Sequence, residues 1–355
     1  MKTIFLIRSF IAVLFLSLIA SAVTTSYASE GSEKKEKFNA GEMIIHHIVD
    51  VHEWHVAEIG HHHLTVPLPI ILYSNGQVHC FLSNKLVPTE HDKDIREYGN
   101  FSFYHNHFEA KDGSKVYDFS ITKNTAAMML SVSLLLIVFL SVASSYTKTV
   151  GKAPRGLQSF IEPIILFVRD EIAKASIGAK YEKFMPFLLT VFFFILFNNL
   201  MGLVPFFPFG ANVTGNVAVT MVLALFTFAI TSFSGNKNYW AHIFLPDVPK
   251  ALYILLVPIE IIGLFLKPFV LMVRLFANIT AGHIIILGFF SLIFIFGEMN
   301  TGLGYGVSVF SVAFTVFMSF LELLVAFLQA YVFTLLSALY FGSAVEEHGH
   351  HEHDA

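Results

Sequence analysis

Four long stretches of this chain carry almost no ionisable side chains, and that leaves few folds open. Residues 124–147 and 184–236 contain no Asp, Glu, Lys, Arg or His, while 251–296 and 302–345 contain only Glu260, Lys267, Arg274, His283 and Glu322. In lipid every backbone amide must find its partner within the protein, and a helix does this inside one segment. A hydrocarbon core of about 30 Å takes about 20 helical residues. Residues 124–147 therefore form one span, and 184–236, broken by Pro205, Pro208, Gly210 and Gly215, form two. Each of the last two stretches would exceed about 60 Å as a straight helix, so each is tilted, bent or a double span.

The expectation is an all-α integral membrane protein with five membrane-embedded helices. The last two are long and tilted, and fold as an antiparallel hairpin about "GEMNTGLGYG". Composition agrees, with 55% hydrophobic and 14% charged residues and 39 phenylalanines in 355 residues. The net charge of −4 gives no footing to nucleic acid as a partner.

The N-terminus reads as an address. Lys2 and Arg8 precede "IAVLFLSLIASAV", and small residues come after it at Ser26 and Ala28, so residues 1–28 are expected to be a signal peptide cleaved after Ala28. A retained signal anchor is the alternative, and either one exports the next segment. Residues 29–124 form a polar, His-rich extracytoplasmic segment in which "HLTVPLPIILYSNGQVHCFLS" alternates around Asn75-Gly76, a β-hairpin signal. Cys80 is the one cysteine, either a buried thiol or an intermolecular cross-link. Seven histidines lie between His46 and His63, and four more in the tail, residues 347–355. Their spacing fits no closed zinc site, so neither a metal nor a cofactor is assigned.

Seven Lys or Arg residues lie from Lys148 to Lys183, which places that loop, and with it the C-terminal tail, in the cytoplasm. Within it Leu157, Phe160, Ile161, Ile164, Ile165, Val168 and Ile172 recur at helical spacing, predicting an amphipathic helix on the membrane face, with a start or kink at Pro163.

The few charges in the long hairpin are costly where they sit and point to function. Glu260, Lys267 and Arg274 are seven residues apart, within about 40° on a helix, and Asn278 falls beside them. His283 lies half a turn away in phase and about 13 Å further along. Glu322 and Gln329 share one face of the other helix. In an antiparallel hairpin Arg274 comes to the depth of Gln329, and His283 to that of Glu322, nearer the outer surface. A fixed charge thus accompanies a proton-exchanging pair. Glu260 and Lys267 lie near the inner end, where snorkelling to the interface and a place in a conduction path fit equally.

"LFLKPFVLMVRLFANITAGH" and "FLELLVAFLQAYVFTLLSALY", with "FVRDEIAK", "LFNNLMGLVPF" and "GANVTGNVAVTMVLAL", resemble the subunit a family of the F-type rotary ATP synthases over roughly residues 124–346. The resemblance implies a membrane domain over 125–346 that provides two offset half-channels to the carboxylates of a c-ring. It also implies partnership with peripheral-stalk subunit b, other ATP synthase subunits and lipid in a bacterial inner membrane. Arg274 matches the arginine that separates the half-channels, and Asn278 and Gln329 match polar residues lining that contact. His283 and Glu322 match the outer pair, exchanged between helices relative to the common bacterial pattern and similar to the mitochondrial one. Asn199 and Glu260 match polar pathway positions. A sodium-coupled form of the same subunit is the alternative. The chain has no GxxxxGK[ST] phosphate loop, so the resemblance implies a conducting subunit without a catalytic site of its own. A secondary transporter would show repeat-related broken helices, and none is evident. A metal handler would cluster its intramembrane ligands, which here are spread over separate depths.

Overall fold

The computed structural model describes residues 39–346 except 60, 61, 90–94, 105, 149, 150, 152, 205–208, 247, 250 and 251. The expected signal peptide and the His-rich tail lie outside the described residues.

Among the described residues a short helix, α1 (Ala40–Ile48), leads into nine strands: β1 (Glu53–Ile59), β2 (His62–Pro67), β3 (Pro69–Ser74), β4 (Gln77–Leu82), β5 (Val87–Pro88), β6 (Arg96–Tyr98), β7 (Phe101–Tyr104), β8 (His107–Ala110) and β9 (Tyr117–Asp118). They form three antiparallel sheets ordered β1-β2, β4-β3-β9 and β5-β6-β7-β8. The hairpin expected at Asn75-Gly76 joins β3 to β4, with both turn residues at positive φ, 50° and 78°, as a two-residue turn matching strand twist requires. Ile70 and Leu72 alternate inward from β3 onto Phe81, Leu86, Phe101 and Phe108. Cys80 is exposed, which leaves no buried thiol.

The membrane unit is helical. α2 (Lys123–Lys148) is the first span. α3 (Leu157–Phe167) runs through a π-helical stretch, Val168–Lys174, into α4 (Ala175–Ile177), and α5 (Tyr181–Gly202) and α6 (Val217–Ser234) come next. α7 (Lys237–Phe244) lies in the loop between α6 and the last two helices, α8 (Tyr253–Met299) and α9 (Thr301–Val345). Among the described residues five helical stretches are long and apolar enough to cross a membrane, and the chain is a multi-pass membrane protein.

The amphipathic helix begins at Leu157, six residues before Pro163 and not at it. Ile161, Val168 and Ile172 face the core, while Leu157 and Phe160 remain exposed. The core itself joins α5 to α9 and α8: Phe184, Leu188 and Phe192 pack with Leu271, Leu275, Ala330, Phe333 and Phe341, and Phe184 stacks on Phe341 at 4.8 Å between ring centroids.

The hairpin turn is tighter than the ten-residue "GEMNTGLGYG" suggests. Asn300 alone leaves the helical conformation, and its side chain accepts the backbone N–H of Gly302 at 2.8 Å, capping α9. A Cβ on Gly304 would lie 2.7 Å from the Gly297 Cα, so the two helices can begin this close only with glycine there.

The candidate proton-path residues

The tip contact between Gly297 and Gly304 fixes the register of α8 against α9. His283 lies fourteen residues from Gly297, and Glu322 eighteen from Gly304, an axial offset of about 6 Å. Helical side chains lean toward the N-terminus of their own helix, so in this antiparallel pair the two lean toward each other. They meet: His283 Nδ1 and Glu322 Oε1 form a hydrogen-bonded pair, with Glu322 buried and His283 nearly so. The carboxylate packs on the backbone at Gly282, where a Cβ would lie 2.9 Å from Glu322 Oε1. Gly282 is thus part of the pair's geometry, a role that its lack of a side chain concealed in the sequence.

Arg274 and Asn278 occupy the opposite side of α8, as their phase requires. Both are exposed, while Leu271, Leu275 and Ile279 face the core. Among the described residues no hydrogen bond or ion pair reaches the Arg274 guanidinium. Gln329 is buried on α9, one face with Glu322. The structure brings His283 to Glu322 but records no hydrogen bond between Arg274, which is exposed, and Gln329, which is buried.

Asn199 on α5 is buried and fully engaged. Its Nδ2 donates to the Ala326 carbonyl at 3.1 Å, and its Oδ1 accepts the Thr214 hydroxyl. Nearer the start of α8, Lys267 Nζ lies 5.6 Å from the Tyr340 ring centroid, in a crevice also lined by Thr227, Thr231 and Tyr239. The Tyr239 hydroxyl is buried without a hydrogen-bond partner among the described residues; burial, and then the charge of Glu260, push its phenol above the usual range. Glu260 itself is half-buried. Between Glu322 and the hairpin tip the buried hydroxyls of Thr315 and Ser311 on α9 lack partners among the described residues, as does that of Thr280 on α8, beside His283. Thr315 and Ser311 lie seven and eleven residues before Glu322, on its face. These hydroxyls are common side chains, and only the register of the hairpin makes them a line.

Residues 126–342 match the family model described as ATP synthase A chain. The chain belongs to that family. Its relatives include proteins named ATP synthase subunit a from Chloroherpeton thalassium, 47% identical over 67% of this chain and 71% of the relative, and from Anaeromyxobacter sp. strain Fw109-5, 44% identical over 66% and 57%. A protein named ATP synthase subunit a 2 from Prosthecochloris aestuarii is 50% identical over 66% of this chain and 71% of its own. Family membership covers all five membrane stretches and the hairpin residues from Glu260 to Gln329. Residues 43–129 match a second family model, described as a domain of unknown function.

Proposed function

We propose that this chain is the proton-conducting stator subunit of an F-type ATP synthase in a bacterial inner membrane. The observation that carries the reading is Arg274: a guanidinium without an ion-pair partner among the described residues, on the exposed face of a membrane helix. A charge near the bilayer centre costs about 2.5 to 3.5 kcal/mol on insertion scales, and that cost falls when an opposite charge meets it. The c-ring carboxylates supply one. An ionised carboxylate is favoured beside the fixed cation, so each ring site sheds its proton as it passes, and no proton crosses directly.

His283 and Glu322 then serve the outer half-channel. Imidazole and carboxylate exchange protons near neutral pH, which favours the proton over sodium as coupling ion. The hydroxyls of Thr315 and Ser311 extend a polar line outward from this pair. Glu260, Lys267 and Tyr239 line the inner exit, and Asn278 and Gln329 flank the passage of the ring. Each proton moved across 100 mV delivers about 2.3 kcal/mol, so several are coupled to one ATP made on other chains.

The topology agrees with the same reading. The end of α9 is tied to the Lys-rich inner side, where the Asn236 backbone N–H donates to the Ala344 carbonyl at 2.9 Å and Asn236 Nδ2 to that of Val345 at 3.1 Å. This supports a cytoplasmic C-terminus and an extracytoplasmic β domain.

The exposed face is tested by cross-linking. With Cys80→Ser as background, Asn278→Cys is expected to form a disulfide with a cysteine beside the ring carboxylate in assembled membranes. Cross-linking at Thr231→Cys, on the buried side, but not at Asn278→Cys would sink the assignment.

A further inference from the structure

The β domain is bolted to the membrane unit at three places. Asp50 holds the start of α2: its carboxylate accepts the Thr122 hydroxyl at 2.8 Å and the Asn124 backbone N–H at 3.0 Å, while the Lys123 N–H donates to the Val51 carbonyl at 2.9 Å. Trp54 and Leu68 are buried against Ala127 of α2 and against Ala211 and Val213 of the turn between α5 and α6. α1 packs on α8, the helix that carries Arg274 and His283.

The second contact continues inward. Next to Val213 is Thr214, 1% exposed, whose hydroxyl donates to Asn199 Oδ1. Asn199 Nδ2 donates to the carbonyl of Ala326, one helical turn from Glu322. A continuous set of contacts therefore runs from Trp54 through Val213, Thr214 and Asn199 to the α9 backbone beneath Glu322. Every member of it is buried.

We propose that the exported domain is an intramolecular clamp that sets the position of Glu322 against His283, with Trp54, Thr214 and Asn199 as positioning residues. This rests on the reading of His283 and Glu322 as the outer proton-exchanging pair. A shift of the outer turn moves Asn199, and Asn199 moves the helix backbone that aims the carboxylate. The domain then governs the ease of proton entry without touching the proton. No substrate or metal is required of it.

The test uses the assembled complex in membrane vesicles, and measures the pH dependence of passive proton conduction after the catalytic head is removed. Thr214→Val keeps the shape and removes the donor; Trp54→Ala empties the contact on Val213. With normal amounts of the subunit in the membrane, both are expected to move the midpoint of the profile in the same direction by about half a pH unit or more, the scale of one lost hydrogen bond. The double variant is expected to move it no further than the larger single one, because both act through Asn199. Where Trp54→Ala lowers the amount of subunit, Leu68→Ala serves in its place. Glu322→Gln is the control. If it leaves conduction unchanged, the reading of the pair fails and the clamp with it. If it abolishes conduction while Trp54→Ala or Thr214→Val leaves the profile unmoved, the clamp alone is overturned.

Discussion

His283 on one helix and Glu322 on the next are joined Nδ1 to Oε1 across a hairpin with a single non-helical residue at its turn. Removing one partner of a buried pair leaves the other charge uncompensated, which costs about 3 to 5 kcal/mol. Glu322→Gln and His283→Ala are each expected to lower proton flux by on the order of a hundredfold. The exchange variant, His283→Glu with Glu322→His, is expected to recover part of it. Quenching of a pH-sensitive dye during ATP-driven pumping measures this; equal loss in the exchange variant would show that the pair does not act as a unit.

Gly282 carries a separate expectation. Its α-carbon is where the Glu322 carboxylate rests, and a methyl group there would stand 2.9 Å from Oε1. Gly282→Ala is expected to assemble normally, since the flexible carboxylate end can move, but to slow proton uptake on the order of tenfold by displacing it from His283. Gly288→Ala, which meets nothing within 4 Å, is the matched substitution and is expected to leave the rate unchanged.

The pairing of His283 with Glu322 was legible because two simple periods, 3.6 residues per turn and the reflection of a hairpin, fix which charges share a depth. Facing is harder to read than depth. Arg274 and Gln329 lie at matching depths by count, yet Arg274 is exposed and Gln329 buried, a difference that comes with the packing of Leu271 and Leu275 and not with the spacing of the charges. The β domain was legible at Asn75-Gly76, where a turn announces itself, and not in strands such as β5 and β9, which are two residues long. α7 escaped for a similar reason, since eight residues contain barely two turns of pattern. Gly282 and Thr214 gave no signal because their roles are made by neighbours distant in sequence.

At the hairpin tip, Asn300 caps α9 through the Gly302 N–H. Asn300→Ala is expected to cost about 1 kcal/mol, lowering the temperature at which the assembled complex loses this subunit. Proton flux at moderate temperature is expected to stay as in the wild type. A flux defect without a stability defect would place Asn300 in the path itself.

The β domain has its own pH signature. His52 is buried edge-on to Phe103 and Phe108 and bonded to Asp118 at 3.1 Å. Burial opposes ionisation of Asp118, but hydrogen bonds from His52 and Ser120 outweigh it and hold the carboxyl below its usual range. A lowered folded-state value gives stability that is present above the ordinary carboxylate range and lost as pH falls through the lowered value. Asp118→Asn is therefore expected to speed amide exchange in β3 and β9 at neutral pH, with the difference from wild type closing in acid. A difference that widens in acid would contradict the pairing.

Proton flux in vesicles bearing Arg274→Ala decides whether Arg274 is the barrier between two half-channels. With Arg274 as the barrier, ATP-driven acidification is expected to disappear while passive conduction after removal of the catalytic head persists or rises. Unchanged pumping together with unchanged passive conduction would contradict it.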